Sequence, residues 1–479
     1  MSKQSFLSQN NFIKLFVISL LISTPFLILY CLFKKNVTFI EYGIYDSHLI
    51  LRNKIKGNEK IDYNIINLVI DDTDVMNANI LNYRIKLKRL LDNLSEINVK
   101  SVLIDIIFPE ESDKNVDKGL INSVKNLSKV YLPYSNIGKK NIFSFNELQR
   151  SIYKTGYNNI TLCDDGILRD IKLFNDNETS DSFFISFKMA CDYLSVDEKD
   201  IVIKKNNILL KNAMLPSGIK KNIEIPLRKD KKMALNYAGI FNKSFNVLKI
   251  DENDNLSDIK NELTGSIIII SNIKLFNNNI VKTPFEKSLY SSFIHSYLIN
   301  SIITNKFIHY IENPLFYIFL YIALLILLSL ACSFMNIDKI VIGYLVLVAF
   351  IIFSSYVIFT LFNVYFNIII IIIPLSFIFI VFLINKYFNE KLNNFLFYIV
   401  THDMKNDLYN ITLNSKIMEK LSNQEKLLPH IETIKNSSEK LFDFFERIIR
   451  LLKLKKNRLI LEVETINLTE IIKIIIEKY

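Results

Sequence analysis

The sequence has few of the residues that build metal centres or disulfide frameworks. Only four cysteines and five histidines occur among 479 residues. Cys31 and Cys332 fall in apolar stretches, and Cys163 and Cys191 stand too far apart for a zinc motif. A Cys163–Cys191 disulfide is feasible outside the cytoplasm, but two unpaired thiols are the favoured interpretation. We predict no metal site.

A pattern for nucleic-acid binding is also missing. The formal net charge is +10, but lysine, asparagine and isoleucine are plentiful along the whole chain. Basic residues form no stripe interleaved with aromatic side chains, so nucleic-acid binding is not expected.

Hydrophobic residues make up 50% of the sequence, and the excess is concentrated in four nearly uncharged runs. Each run approaches the roughly 20 residues that span a bilayer. We predict four transmembrane helices, at residues 15–33, 314–332, 340–361 and 365–384; buried soluble helices are the disfavoured alternative. The first run is longer than a signal-peptide core and has no obvious cleavage site, which predicts a retained signal anchor.

Flanking charges predict the orientation. Lys386 and Lys391 follow the last run, which favours a cytoplasmic C-terminus. With four spans, residues 1–14 are then cytoplasmic and residues 37–312 extracytoplasmic. We therefore expect a multi-pass protein of the plasma membrane. The short turn after residue 361 predicts a tight antiparallel hairpin of the third and fourth spans.

Strand-like and helix-like patterns alternate over residues 37–312, which predicts an α/β domain. Apolar runs at residues 67–70 and 101–108 are typical of strands, and between them the apolar residues of 84–97 recur at helical spacing. This order predicts a right-handed βαβ unit with parallel strands. Residues 265–270 predict another buried strand.

Carboxylates follow these predicted strands. Asp71, Asp72 and Asp74 come after the first, and Asp105 lies late in the strand that we expect beside it. At the carboxyl edge of a parallel sheet, they would hold a divalent cation or a cationic ligand. The favoured alternative is that they cap the next helix and accept hydrogen bonds from turn amides.

Several strings in this region match a known module. They are residues 67–74, residues 103–108, Gly156-Tyr157-Asn158, the string Asp164-Asp165-Gly166-Ile167-Leu168-Arg169, and His295. Together they resemble a type-two CHASE domain over residues 37–312. The resemblance implies an extracytoplasmic sensor module of a bacterial receptor, followed by three transmembrane helices, with an unidentified ligand. Asp165-Gly166 is a turn signal in its own right, and His295 is interpreted as a packing histidine rather than a ligand.

After residue 386 the chain becomes amphipathic and carries a candidate phosphorylation site. His402 lies off the apolar stripe of its predicted helix, with Asp403 adjacent and Asn406 one turn on. An exposed imidazole can attack a γ-phosphoryl group if a neighbour orients its proton. We assign that role to Asp403, and expect Asn406 to position water for dephosphorylation.

A second helix carries an apolar seam at alternating spacings of four and three. The seam comprises Leu427, Ile431, Ile434, Ser438, Leu441, Phe445, Ile448 and Leu452. Such a seam predicts that residues 387–457 form a helical hairpin that pairs with a second copy as a homodimeric four-helix bundle. A coiled-coil stalk is the alternative.

Both helices resemble the dimerisation and histidine phosphotransfer domain of sensor histidine kinases. The resemblance makes His402 the phospho-acceptor, Asp403 its acidic neighbour and Asn406 the amide position. Asp407 stands where the family usually has proline, which puts the usual helix bend in doubt.

Residues 458–479 resemble the start of a truncated ATP-binding domain. An asparagine-rich nucleotide box, a glycine-rich lid and an acidic metal-binding loop are not found in the sequence, so we expect this chain to bind neither ATP nor Mg²⁺ unless a missing or separate domain supplies them. The resulting interpretation is a transmembrane sensor histidine kinase of a two-component system. Its expected partners are a response regulator, a second copy and membrane lipid. The alternative is a non-enzymatic receptor or a phospho-accepting partner of another kinase.

Overall fold

The computed structural model describes residues 34–57, 65–70, 80–137, 140–175, 183–241, 245–250, 256–272, 280–420 and 424–455. The predicted first span, the carboxylates Asp71, Asp72 and Asp74, and residues 458–479 lie outside these ranges. The chain divides into two compact units, Met1–Phe379 and Ile380–Tyr479.

Helices and strands alternate along the first unit, as an α/β domain requires. The α-helices are α1 (Lys34–Lys56), α2 (Ile80–Ser95), α3 (Lys114–Lys125), α4 (Asn146–Gln149), α5 (Ile185–Tyr193), α6 (Lys260–Leu263), α7 (Ile294–Ile303), α8 (Pro314–Phe334), α9 (Ile337–Phe362), α10 (Ile369–Lys420) and α11 (Gln424–Lys455). The strands are β1 (Ile65–Ile70), β2 (Ser101–Ile104), β3 (Val130–Ile137), β4 (Lys140–Ile142), β5 (Lys154–Tyr157), β6 (Asp170–Lys172), β7 (Ile201–Ile203), β8 (Asn207–Met214), β9 (Lys220–Pro226), β10 (Lys232–Ala234), β11 (Asn246–Ile250), β12 (Ile267–Asn272), β13 (Ile280–Val281), β14 (Leu289–Tyr290), β15 (His309–Tyr310) and β16 (Val364–Tyr365).

The main sheet has the order β11-β1-β12-β2-β3-β4, with β5 also paired to β3. Its pairings are parallel except for that of β3 with β4. The α/β prediction is confirmed, but β2 is not the neighbour of β1, because β12 lies between them. The isoleucines of β12 are buried, and a strand that is apolar on both faces belongs in the middle of a sheet covered by helices.

Helices cover both faces of this sheet. Alternate residues of β1 point to opposite faces: Ile65 joins one core cluster with α7, whereas Ile66 joins the other with α2. Asn67 is a buried polar exception, and its Oδ1 accepts a 2.8 Å hydrogen bond from Ser296 of α7. A three-layer α/β domain results. An antiparallel sheet, β7-β8-β9, extends the α7 side.

Within the described ranges, three helices are long and apolar enough to cross a membrane: Pro314–Ser333, Ile337–Phe362 and Ile369–Leu392. They correspond to the second, third and fourth predicted spans. The last helix begins at Ile369, not at residue 365, because Val364 and Tyr365 pair with His309 and Tyr310 as β16 and β15.

In the second unit, the later part of α10 and all of α11 form two adjacent helices. The Nδ1 of His430 in α11 lies 2.8 Å from the Oδ1 of Asn414 in α10 and hydrogen-bonds to it.

Candidate functional site

Helix α1 packs between the α/β domain and the nearby ends of the apolar helices α8, α9 and α10. Tyr45 of α1 is 2% exposed. Its ring centroid lies 5.6 Å from that of Tyr310, just before α8, and 5.1 Å from that of Tyr365, between α9 and α10. Helix α1 therefore contacts both the segment before α8 and the turn between α9 and α10. We call this region the junction.

A buried ion cluster fixes α1 to the domain. The Arg169 cluster comprises Tyr42 and Asp46 of α1 together with Asp165 and Arg169. Arg169 donates to both oxygens of Asp46 at 2.8 and 2.7 Å and to both oxygens of Asp165 at 2.8 and 2.7 Å. Its guanidinium carbon also lies 4.3 Å from the ring centroid of Tyr42. Planar, bidentate pairing of this kind is specific to arginine.

The turn predicted from Asp165-Gly166 positions this cluster. Gly166 has a φ of +77°, a left-handed conformation that glycine adopts at little cost. Its N–H donates to the carbonyl of Cys163 at 2.8 Å, and the N–H of Ile167 donates to Oδ1 of Asp165 at 3.1 Å. The turn therefore brings Asp165 back onto Arg169, four residues later.

Burial and pairing shift the two carboxyl groups in opposite directions. Burial raises the pKa of Asp46, and the opposing effect of Arg169 does not cancel it. Burial also acts to raise the pKa of Asp165, but hydrogen bonds from Arg169 and from the Ile167 N–H outweigh it and lower that pKa. Burial acts to lower the pKa of Arg169, and its hydrogen bonds to both carboxylates raise it. Arg169 therefore remains a cation.

A second arginine links the domain directly to the turn between the apolar helices α9 and α10. The Nη2 of Arg52 donates to the carbonyl of Tyr237 at 2.9 Å, and its Nη1 donates to Oδ1 of Asn363 at 2.9 Å. Asn363 ends α9 with a left-handed φ of 54°. We call this pair of contacts the Arg52 bridge.

Helix α1 also contacts α9 directly through a histidine. The Nδ1 of His48 donates to the carbonyl of Ile44 at 2.7 Å, which leaves Nε2 to accept from the hydroxyl of Ser355 at 3.1 Å. Ser355 lies within the apolar helix α9. Movement of α1 would therefore disturb both the body and the end of α9.

Asp105 and His295 meet in a second buried polar group. The Nε2 of His295 lies 3.4 Å from Oδ1 of Asp105, which also accepts a 3.2 Å hydrogen bond from Asn158. The other ring nitrogen of His295 bonds to Ser186. Ser186 is 0% and His295 2% exposed, so this serine–histidine–aspartate arrangement is closed to substrate. It supports the interpretation of His295 as a packing residue.

The contacts of Asp105 differ from both sequence interpretations. Its partners are side chains rather than turn amides, and no cation is needed to satisfy its Oδ1. Burial acts to raise the pKa of Asp105, but the charge and hydrogen bond of His295 and the hydrogen bond from Asn158 lower it.

Cys163 and Cys191 are unpaired, as predicted. Burial raises the pKa of both thiols. Because the thiolate is the reactive form, neither cysteine is activated for nucleophilic chemistry.

The predicted phospho-acceptor lies on α10 in the second unit. His402 is exposed and its ring stacks on Tyr398, with centroids 5.8 Å apart. Asn406 is also exposed, whereas the side chain of Asp403 lies outside the described part of the structure.

Sequence reasoning missed the α1 half of the junction. Tyr42, Asp46, Leu49, Arg52 and Asn53 recur at spacings of three, four and one, so they lie on one helical face. Polar residues that share a face with buried apolar ones are the signal that would have identified α1 as a packed helix.

Hydrogen bonds of Arg169 and Arg52 thus fix α1 to the α/β domain and to the end of α9. The CHASE2 domain family model matches residues 21–332, and the chain belongs to this family. CHASE2 is an extracytoplasmic sensor domain of signalling proteins, which confirms the type-two CHASE resemblance. The match extends beyond the predicted residues 37–312 and includes α1 and most of α8. No curated protein and no solved structure matches the chain.

Proposed function

We propose that this protein is a transmembrane sensor histidine kinase of a two-component system. The CHASE2 domain detects an extracytoplasmic stimulus, and His402 accepts a phosphoryl group for relay to a response regulator. In that step an imidazole nitrogen attacks the γ-phosphorus of ATP, the bond to the bridging β–γ oxygen breaks, ADP leaves and the imidazole loses a proton.

The observation that carries this proposal concerns a single helix. Helix α10 follows the turn held by the Arg52 bridge, begins at Ile369 and extends to Lys420 with Pro374 inside it, so it also bears His402. A change at the sensor that shifts Arg52 reaches Asn363 and then the helix that carries the acceptor. Helices with two alternative packings can convert small shifts into such signals.

The surroundings of His402 suit phosphoryl transfer. The exposed imidazole is accessible to a nucleotide held by another domain, and Tyr398 stacks on one side of it at 5.8 Å. Asn406 lies one helical turn away, on the same face. We assign proton orientation to Asp403 and water positioning to Asn406.

The exposed seam of α11 favours a homodimer. In one copy of the chain, Ile431 is 47% and Phe445 42% exposed, although both belong to the predicted seam. Large apolar side chains in regular register are stabilised by burial against another helix. We propose that a second copy of the hairpin covers them.

Phosphorylation of the full chain in lipid nanodiscs tests the proposal. Labelled ATP, Mg²⁺ and the ATP-binding domain of a related kinase are added, and acid-labile label on the chain is measured. We expect His402→Gln to abolish the label and His430→Gln, the other histidine of the hairpin, to retain it. Label that persists without His402, or no label in any sample, would reject His402 as the acceptor.

A further inference from the structure

A cavity of about 700 Å³ opens beside the start of the first described membrane helix. One wall is formed by Lys205, Asn206 and residues 226–229, and the opposite wall by residues 308–314. Pro314, the first residue of α8, belongs to this lining. The cavity therefore lies between the sensor domain and the start of the apolar helix α8.

Basic side chains outnumber acidic ones in the lining of the cavity, and one of them, Arg228, also donates to Oδ2 of the buried Asp170 at 3.1 Å. Lys205, Arg228 and Lys229 line it, against a single lining carboxylate, Glu312. Glu312 is already engaged, because it accepts a 2.8 Å hydrogen bond from the backbone N–H of Lys229 and lies 3.7 Å from Nε of Arg228. Within the described ranges, neither Lys205 nor Lys229 forms a side-chain ion pair. The N-terminus of the 21-residue helix α8 adds partial positive charge.

The lining also contains apolar residues, beside the polar side chains of Asn206, His309 and Asn313. Leu227, Ile308 and Ile311 contribute aliphatic side chains, and Tyr310 contributes an aromatic ring. The volume falls within the range of about 300 to 1,000 Å³ typical of small-molecule sites, far more than a bare phosphate fills. The cavity thus combines cations for an anionic group with apolar surface for attached carbon.

We infer that this cavity binds the headgroup of an anionic phospholipid from the outer face of the membrane. The phosphate lies among Lys205, Arg228 and Lys229, and the glycerol and first acyl carbons lie along Ile308, Ile311 and Pro314. A lipid is favoured over free phosphate because the site adjoins a membrane span and has an apolar side.

The bound headgroup would contact the junction. The guanidinium carbon of Arg228 lies 4.6 Å from the ring centroid of Tyr310. Tyr310 packs in turn on Tyr45 of α1 and on Tyr365, with centroids 5.6 and 5.2 Å away. Lipid composition would therefore modulate the sensor; this regulatory step rests on the proposed function, whereas lipid binding does not.

Thermal unfolding of the purified full chain in neutral detergent tests the binding. The protein is titrated with dihexanoyl phosphatidylglycerol, dihexanoyl phosphatidylcholine or inorganic phosphate. We expect saturable stabilisation by phosphatidylglycerol alone. The double variant Lys205→Ala, Lys229→Ala should bind about tenfold more weakly, because charge-assisted hydrogen bonds to phosphate are lost.

The matched control removes the same charge elsewhere. Lys220 and Lys221 are exposed at the start of β9 and do not line the cavity, so Lys220→Ala with Lys221→Ala should bind as the unaltered protein does. Equal stabilisation by phosphatidylcholine would overturn the inference, as would saturation by inorganic phosphate at the same concentration. Equal weakening by both double variants would also overturn it. None of these readouts depends on phosphorylation of His402.

Discussion

Arg169 donates two hydrogen bonds to the carboxylate of Asp46, 123 residues earlier in the chain, at 2.8 and 2.7 Å. This pair joins the string of residues 164–169, which belongs to the family resemblance, to a helix that also contacts the turn between α9 and α10. The string therefore has a structural role, because it fixes the position of α1 relative to the sensor domain. A ligand that alters this pairing would move α1.

The Arg169 cluster should be essential for stability. Arg169→Ala leaves two carboxylates without their cation, and breaking a buried ion pair typically costs about 3 to 5 kcal/mol. We expect a marked fall in the melting temperature of the detergent-solubilised chain. Arg150→Ala removes an exposed arginine and should have little effect. Equal melting temperatures for the two variants would show that the cluster contributes nothing.

Gly156 should not tolerate a side chain. A Cβ there would lie 2.8 Å from the carbonyl oxygen of Phe183 and 2.9 Å from Cα of Ile185. Both are backbone atoms, so Gly156→Ala should destabilise by about 1 to 3 kcal/mol, as overpacking does. Gly43→Ala is the control, because nothing lies within 4 Å of its Cβ and alanine favours a helix. In chemical unfolding, Gly156→Ala should lower the free energy of unfolding, whereas Gly43→Ala should raise it.

The sequence predicted the elements better than their arrangement. The apolar run of β12 and the turn at Asp165-Gly166 could both be recognised from local patterns. The insertion of β12 between β1 and β2 could not, because strand order depends on packing among segments that are distant in the chain. For the same reason, Asp105 was placed beside β1.

The junction was harder still to predict. Arg169 was identified within its string, but its partner Asp46 has no local signal beyond its place on one face of α1. Asn363 likewise looked like part of a short turn. Asn363 accepts a hydrogen bond from Arg52 because α1 passes the end of α9. That tertiary contact has no signal in the local sequence.

The stability of the sensor domain should depend on Asp105 at low pH. Its pKa is lowered in the folded state, so its ionised form stabilises the fold above its unfolded pKa, about 4. That contribution is lost as the pH falls through the lowered value. Asp105→Asn keeps the shape but does not titrate. The gap in melting temperature between the unaltered protein and the variant should be widest at pH 6 and shrink below pH 4. A gap independent of pH would contradict this assignment.

The Arg52 bridge should hold the C-terminal end of α1 against the turn between α9 and α10. Asn363→Gly keeps the left-handed φ of 54° accessible but removes the acceptor for Arg52, whereas Asn363→Asp retains an acceptor and adds charge. A hydrogen bond to a charged group contributes about 1.5 to 3 kcal/mol. Hydrogen exchange in the last turns of α1 should therefore be at least about tenfold faster in the glycine variant. The aspartate variant should exchange no faster than the unaltered protein; identical exchange in all three would exclude the bridge as a restraint.

The exposed seam of α11 allows dimerisation to be tested without damaging the single hairpin. Ile431 and Phe445 are 47% and 42% exposed in one copy, so Ile431→Glu with Phe445→Glu should cost the isolated hairpin little.

In a dimer the same two positions would be buried. Charges there would then be desolvated without partners, at a cost of several kcal/mol. A fragment of residues 387–457 should therefore change from dimer to monomer by light scattering while its circular dichroism stays helical. Thr433→Glu with Asn436→Glu adds the same charge at exposed positions off the seam and should leave the dimer intact. If the seam variant keeps the dimer mass, α11 does not pair through this face, and the exposed side chains must serve another contact.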